Sequence, residues 1–228
     1  MDIENGTDGL AESNVHLWQW HGGQNQRFWI EPLEKPPVDE RELFVNRVIQ
    51  ENSSFGGKAV GELINKPQYM YGSWCARFIW NMAKEAGCEY AIPSGYDSAK
   101  NLPEAIKNNG GKLWSWKDVA DGKYVPRAGD IIVYGESVYE NGKNMNWAHV
   151  GVITECAYDQ KTGKPSSFKT IEGNTSVGKD KKGNTLLGIN SKTRKVKNSK
   201  TGYTTTNGKN KQGQTKYWFI RYIVEPNF

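Results

Sequence analysis

Cys75 is the residue of this chain whose position most favours chemistry. The run Tyr69–Trp80 changes around it from a glycine-containing turn to an amphipathic helix. A thiol in the first turn of a helix faces the positive end of the helix dipole, which favours the nucleophilic thiolate. The competing interpretation is a small core residue, because free cysteines are often buried and Cys75 lies on the apolar face of this helix. Position alone leaves both interpretations open.

The histidines of the chain limit the choice of a base for such a thiolate. There are three, His16, His21 and His149, and the first two lie in an N-terminal stretch that looks like a separate module. A cysteine nucleophile works with a nearby base, so His149 is the partner of Cys75 by elimination. The alternative for His149 is a hydrogen-bonded histidine near the edge of a sheet.

Two further polar residues could orient the imidazole. Glu172 and Asn174 stand at the end of a predicted strand. Alternate residues of a strand point to the same face, so we expect these two side chains to share one. Thiolate, imidazole and an orienting polar group together make a cysteine protease-like site. The alternative for Glu172 is an ordinary acid at a strand end.

The elements that would position these residues are helices followed by strands. Asp39 is predicted to cap the first helix, and Gly87 to end the second. The predicted apolar stripe of the first helix consists of Leu43, Val45, Val48 and Ile49. The predicted helices span 40–51, 74–86 and 98–108, and the predicted strands span 130–134, 148–154, 168–172 and 217–224. This order predicts an α+β domain with an antiparallel sheet.

Four ordered segments resemble the CHAP domain family, whose members are cysteine- and histidine-dependent amidohydrolases/peptidases. The segments are 74–87, 126–133, 148–153 and 171–176. The resemblance spans roughly residues 40–224. It implies a papain-like CHAP fold, in which N-terminal helices pack on an antiparallel β-sheet after a short β-rich fragment.

The resemblance also implies roles for individual residues. Cys75 matches the nucleophile of the family, and its backbone N–H would contribute to the oxyanion hole. His149 matches the general base, and Glu172 and Asn174 match the polar positions that support the histidine. Tyr71 could add a hydroxyl group. The resemblance implies no metal and no organic cofactor.

The activity implied by the resemblance is hydrolysis of an amide bond in bacterial peptidoglycan through a thioester. The bond would join glycan to stem peptide, as for an N-acetylmuramoyl-L-alanine amidase, or lie within the peptide, as for an endopeptidase. Aromatic residues near the site are candidates for lining the substrate groove, with core packing as the alternative. They are Tyr71, Trp74, Trp147 and Tyr96.

Three other functions compete with this one. The first is a papain-like amidase acting on a host protein or on a small γ-glutamyl or polyamine amide. The second is a non-catalytic protein that binds cell wall or glycan. The intact set of Cys75, His149, Glu172 and Asn174 argues against lost turnover. The third is a nucleic-acid binder, whose signature would be a steep dependence of binding on salt.

The positive charge of the chain is concentrated in residues 178–216, which we call the basic segment. It holds eleven Lys and Arg residues against Asp180 alone, a net +10 in a chain of net +5. It is either a solvated loop or a surface for a polyanion such as nucleic acid or an anionic wall. Tyr203 is its only aromatic residue, so we expect no nucleic-acid partner. The stretch 177–214, which overlaps most of this segment, is predicted to be a hairpin or a mobile flap.

The N-terminal residues 1–31 resemble one repeat of the ricin-type β-trefoil lectins. They carry Gln26, Arg27 and Phe28, followed by Trp29, near the place of the Gln-x-Trp signature. One repeat cannot bury a core alone, so we expect a truncated carbohydrate-binding domain or a repeat that associates with its copies. Residues 32–38 hold three prolines and are predicted to be a linker to the catalytic domain, 39–228. The repeat would supply a glycan contact.

The compartment follows from what the sequence lacks. No stretch approaches the roughly 20 apolar residues of a membrane span, and the N-terminus lacks the regions of a signal peptide. We expect an extracellular or cell-wall protein, such as a released phage lysin (an endolysin) or an excised piece of a longer secreted protein. Cys88 and Cys156 form a disulfide, or all three thiols are reduced. No motif for a metal or haem is present.

Overall fold

A computed structural model of the protein describes residues 2–3, 15–16, 39–63, 66–69, 71–137, 147–198, 202–209 and 215–228. The chain divides into two units, residues 1–37 and 38–228. In the first unit, strand β1 (Asp2–Ile3) pairs antiparallel with strand β2 (Val15–His16). The rest of the predicted lectin-like repeat and the predicted linker 32–38 lie outside the described residues.

The second unit begins with helices. They are α1 (Glu40–Phe55), α2 (Cys75–Glu85), α3 (Asn101–Asn108) and α4 (Trp116–Ala120). Two short 3-10 turns, Val60–Glu62 and Pro67–Tyr69, connect α1 to α2. Gly87 follows α2 with a φ of +78°, a left-handed conformation that suits glycine after a helix end, as predicted. Helix α3 begins three residues later than predicted, and α4 was not predicted.

Helix α1 keeps its predicted cap but buries a different face. The side chain of Asp39 accepts a hydrogen bond from the Glu42 N–H at 3.2 Å, as predicted. The predicted apolar stripe was wrong at Leu43 and Ile49, which are exposed. The buried positions of α1 are Phe44, Val48 and Glu51. An acid can occupy this buried face because Arg47 Nη2 lies 2.6 Å from Glu51 Oε2 and Lys66 Nζ lies 3.0 Å from Oε1. The apolar pattern does not reveal these pairings.

Within the described ranges of the second unit, seven strands follow or separate these helices. They are β3 (Lys112–Ser115), β4 (Ile131–Ser137), β5 (Trp147–Tyr158), β6 (Pro165–Lys179), β7 (Thr185–Asn198), β8 (Tyr203–Lys209) and β9 (Thr215–Glu225). The four predicted strands correspond to β4, β5, β6 and β9, and each is longer than predicted. Strands β7 and β8 lie within the stretch 177–214, so its hairpin alternative fits the structure.

The sheet is antiparallel throughout and closes on itself. Its order is β3-β9-β4-β5-β6-β7-β8. Strand β8 pairs with β7 and also with the first half of β9, which closes β4 to β9 into a barrel of six strands. The second half of β9 pairs with β3 along the same edge. The fold is therefore α+β, with helices on an antiparallel sheet as expected.

Two apolar clusters form the core of this unit, one on each face of the sheet. Along β4, Ile131 and Val133 belong to the cluster shared with α1, α2 and α3, while Ile132 and Tyr134 belong to the other. This alternation follows from the period of two residues in a strand. The second cluster lies on the inner face of the barrel, together with side chains of α4. Its buried members are Trp116, Val119, Ile132, Tyr134, Ile153, Phe168, Ile220 and Ile223.

Two further features of the described residues bear on the sequence predictions. All three cysteines, Cys75, Cys88 and Cys156, are free, so of the two alternatives for the cysteines the structure has the reduced thiols. Helices long and apolar enough to cross a membrane are not found in the part of the chain that the structure describes.

Candidate functional site

Cys75 is the first residue of α2, and only 4% of it is exposed. No side chain among the described residues caps α2, because Trp74 occupies the cap position without a side-chain hydrogen bond. Burial raises the pKa of the Cys75 thiol. The His149 imidazole and the backbone N–H groups of Val150 and Ala76 outweigh that effect, so the pKa lies below its ordinary value. The thiol therefore ionises at a lower pH than an ordinary cysteine.

His149 lies near the start of β5 and connects the thiol to a carboxylate. Its Nε2 is 3.0 Å from Glu172 Oε2, which leaves Nδ1 as the ring nitrogen for Cys75. The rings of Tyr134 and Trp218 flank the imidazole, with centroid separations of 6.3 and 5.2 Å. Burial lowers the pKa of His149, but the charge of Glu172 and the hydrogen bonds to Cys75 and Glu172 raise it overall to about 9. The imidazole is therefore held in its protonated form near neutral pH.

Glu172 is fully buried in β6 and is surrounded by hydrogen-bond donors. Oε1 accepts from the Thr170 hydroxyl at 2.7 Å and from Arg194 Nε at 2.9 Å. Oε2 accepts from the Thr175 hydroxyl at 3.3 Å and from Arg194 Nη2. Burial raises the pKa of Glu172, but the charges and hydrogen bonds of His149 and Arg194 hold it far below its ordinary range. Glu172 is thus a buried carboxylate that stays ionised.

Asn174 is not brought to the imidazole, in contrast to Glu172. A β-bulge interrupts the pairing of β6 with β7 between Glu172 and Thr175, and Asn174 has a φ of +55°. A bulge breaks the alternation of a strand, so the expectation that Glu172 and Asn174 share a face does not hold here. Among the described residues, no side-chain hydrogen bond joins Asn174 to His149.

Two glycines allow the close approach of the site elements. A Cβ at Gly173 would lie 2.4 Å from the Cβ of Phe78, so α2 packs directly against β6 beside Glu172. A Cβ at Gly151 would lie 2.7 Å from Glu172 Cγ, so the carboxylate side chain crosses β5 in the space that this glycine leaves. These contacts bring the start of α2 and the two strands together.

The aromatic residues predicted to line a groove have different environments. Tyr71 is 77% exposed and Tyr96 is 40% exposed. Trp74 instead packs in the core with 2% exposure, and its ring stacks on Tyr69 at 4.7 Å, so it offers no face to a substrate. The backbone of Trp147 begins β5, but its side chain lies outside the described residues.

Arg194 is the site residue that the sequence interpretation missed. It was counted only as one charge of the basic segment, yet it lies in β7 with its side chain 11% exposed and paired with Glu172. One signal was available: Arg194 is the single arginine among ten lysines in that segment. Arginine suits a bidentate contact with a carboxylate, which lysine cannot make.

The arrangement as a whole is suited to nucleophilic chemistry. A buried thiol with a lowered pKa, an imidazolium and a buried carboxylate form a continuous chain of contacts from Cys75 through His149 to Glu172. The start of a helix supplies backbone N–H groups next to the sulfur. Across the described ranges of the chain, no group of three or more His, Cys, Asp or Glu residues is placed to hold a metal ion.

Comparison with known protein families gives a match within the second unit. Residues 65–174 match the family model of the CHAP domain, a range that includes Cys75, His149, Glu172 and Asn174. Comparisons with curated proteins and with solved structures gave no match. The matched range is narrower than the expected resemblance over 40–224 and ends before β7. This similarity indicates a hydrolase of the amidase or peptidase kind.

Proposed function

We propose that this protein is a cysteine hydrolase that cleaves an amide bond of bacterial peptidoglycan. The observation that carries the proposal is the chain of contacts from Cys75 through His149 to Glu172, inside the segment similar to the CHAP domain. A thiol with a lowered pKa next to a buried imidazole is the starting arrangement for thioester chemistry. The bond is that of an N-acetylmuramoyl-L-alanine amidase or that of a peptide endopeptidase.

The first half of the reaction forms a thioester. The Cys75 thiolate attacks the carbonyl carbon of the scissile amide, and the carbonyl oxygen takes the negative charge of a tetrahedral intermediate. Backbone N–H groups at the start of α2, including that of Cys75, stabilise this oxyanion. The intermediate collapses when the His149 imidazolium gives its proton to the leaving amine.

The second half releases the acyl group by hydrolysis. Neutral His149 accepts a proton from a water molecule, and the water oxygen attacks the thioester carbonyl. The second tetrahedral intermediate expels the Cys75 thiolate, while His149 keeps the proton and the ion pair is restored. Glu172 holds Nε2 throughout, so the same ring nitrogen faces the reacting atoms in both halves.

The remaining expectations about substrate and location belong to this proposal. Exposed Tyr71 and Tyr96 would contact the substrate beside the start of α2, together with Trp147. The enzyme would act at the cell wall or outside the cell, and the N-terminal repeat would provide a glycan contact. No nucleic-acid partner and no cofactor are expected.

The decisive experiment is digestion of purified peptidoglycans from several bacteria by wild type and by Cys75→Ala. We expect soluble fragments with wild type only, and mass spectrometry of their new termini distinguishes an amidase from an endopeptidase. Cys156→Ala is the matched control, because it also removes a thiol but lies away from the His149 contact, and it should digest like wild type.

The same samples show whether Cys75 is the reactive thiol. Burial raises the pKa of Cys156 to about 12, and burial with the charge of Glu40 raises the pKa of Cys88, whereas the pKa of Cys75 is lowered. Brief treatment with iodoacetamide near neutral pH should therefore label Cys75 first. Labelling without wall digestion would indicate an amidase for another substrate. An inert Cys75 without digestion would indicate a binding protein.

A further inference from the structure

We propose that Arg194 is a positioning residue of this site, which fixes the Glu172 carboxylate so that Glu172 can hold His149. This inference deepens the proposed function and rests on it for its role in turnover. Arg194 lies twenty residues beyond the end of the segment similar to the CHAP domain. It therefore adds to the site a group from a strand that the family match does not cover.

The contact between Arg194 and Glu172 fixes the plane of the carboxylate. Nε donates to Oε1 at 2.9 Å, and Nη2 donates to Oε2, so both carboxylate oxygens are held by one planar group. Oε2 is also the atom that contacts His149 Nε2 at 3.0 Å. Rotation of the carboxylate away from the imidazole would break both contacts with Arg194.

Arg194 is itself held in place by the rings that flank the imidazole. Its guanidinium lies 4.6 Å from the ring centroid of Trp218 and 5.4 Å from that of Tyr134. The same two rings lie against His149. Arg194 stands opposite Phe168 in the pairing of β6 with β7, so its side chain runs along β6 to reach Glu172. The guanidinium and the imidazole thus share one rigid frame.

The charge of Arg194 matters most when His149 is neutral. In the proposed cycle His149 gives its proton to the leaving amine, and Glu172 would then be a fully buried carboxylate without an imidazolium partner. Arg194 stays charged at every stage of such a cycle. The other nearby cation, Lys192, donates its Nζ to the Ser176 carbonyl rather than to Glu172. Arg194 is therefore the group that keeps Glu172 charged and in place.

The test is a double-mutant cycle between Arg194→Gln and Glu172→Gln, with kcat, KM and the rate of Cys75 alkylation as readouts. Arg194→Gln should lower kcat about 10- to 100-fold, because a hydrogen bond to a charged group has an effect of that size. KM should change less than about twofold, since Arg194 does not touch the substrate. In the Glu172→Gln background, Arg194→Gln should lower kcat little further, because the carboxylate that Arg194 holds is already missing.

Two more variants keep the test decisive. Arg194→Lys should recover only part of the loss, because one ammonium group cannot hold both carboxylate oxygens. It also replaces Arg194→Gln in the cycle if that variant does not fold. Lys195→Gln removes one charge from the next, exposed residue of β7 and should match wild type.

The outcomes separate this inference from the proposed function. If Arg194→Gln has the same kcat as wild type, the proposed role of Arg194 is overturned. The same follows if Arg194→Gln lowers kcat equally in the wild-type and Glu172→Gln backgrounds. If the wild type digests no wall, the proposed function fails, and the alkylation cycle still decides about Arg194. The positioning role is supported if Arg194→Gln slows the alkylation of Cys75 in the wild-type background but not in the Glu172→Gln background. An unchanged alkylation rate in Arg194→Gln rejects that role.

Discussion

Glu172 and Asp130 are both buried carboxylates that contact an arginine, and they differ in what else surrounds them. Glu172 receives two hydrogen bonds from Arg194 and faces His149. Asp130, just before β4, receives one from Arg41 at 2.7 Å, which ties α1 to the sheet. Its other donors are neutral, namely the Tyr124 hydroxyl at 2.7 Å and the Arg127 N–H at 2.9 Å.

The two acids differ in the direction of their pKa shifts. Burial raises the pKa of both, and at Asp130 the hydrogen bonds from Tyr124, Arg127 and Arg41 only partly oppose it, so the pKa is raised overall. At Glu172 two cations reverse the effect of burial, and the pKa is lowered. A contact with an arginine alone therefore does not bring the pKa of a buried acid below its ordinary value. The contact with His149, the candidate base of the site, is what separates Glu172 from the structural Asp130.

The largest effect should come from Glu172→Gln. This change keeps the shape of the side chain but removes the charge that orients and stabilises the imidazolium, so kcat should fall about 10³-fold. Hydrolysis of purified peptidoglycan under saturating conditions measures it. A loss smaller than tenfold would contradict the assignment of Glu172 as the acid of the site.

A smaller loss should follow from crowding Glu172 without changing its charge. In Gly151→Ala the new Cβ would lie 2.7 Å from Glu172 Cγ and displace the carboxylate from His149. A displacement of this kind should lower kcat about 10²-fold. Gly61→Ala is the control, because no heavy atom beyond its neighbours lies within 4 Å of the added Cβ. Equal activity of the two variants would mean that the position of Glu172 is not critical.

Asp130→Asn should affect stability rather than turnover. The change weakens the hydrogen bonds with Arg41 and Tyr124, and we expect the free energy of unfolding to fall by about 2 kcal/mol. Thermal unfolding should show a midpoint lowered by about 5 °C. The kcat of the folded variant should equal that of wild type, and a large loss of kcat would remove the contrast between the two acids.

The smallest effect should appear in the pH profile of hydrolysis. Activity should rise as the Cys75 thiol ionises and fall as His149, with its pKa raised to about 9, loses the proton needed by the leaving amine. Glu172 raises that pKa, so in Glu172→Gln the alkaline limb of kcat/KM should move to lower pH by about one unit. Asp130→Asn should leave this limb in place. A shift to higher pH in Glu172→Gln would contradict the electrostatic role of Glu172.

The contact between Cys75 and His149 could be predicted from the sequence, whereas their surroundings could not. Cys75 and His149 follow from a helix start and from the scarcity of histidines, and the structure places them in contact. The divergence of Asn174 from Glu172 could not be predicted, because a bulge depends on the pairing of β6 with β7. For Trp74 the sequence left groove and core open, because an aromatic residue next to a nucleophile can point into either, and the structure has it in the core.

The basic segment shows why charge patterns conceal structure. The second half of β7 holds three lysines and Arg194, and these charged residues hide the alternation by which a strand is normally recognised. Arg194 could not be paired with Glu172 from the sequence, because the contact joins neighbouring strands through a register that only the folded barrel defines. The helices were easier to predict, since their caps and spacing are local, as with Asp39 and Gly87.

The closure of the barrel determines how this protein could be recombined with other modules. A fragment cut at residue 174, where the family match ends, would lose β7, β8 and β9. Strands β4 and β6 would each be left with a free edge, and free edges promote association between chains and aggregation. A domain that is transferred into a fusion protein therefore has to extend through Glu225, where β9 ends. It then includes the strands that close the barrel.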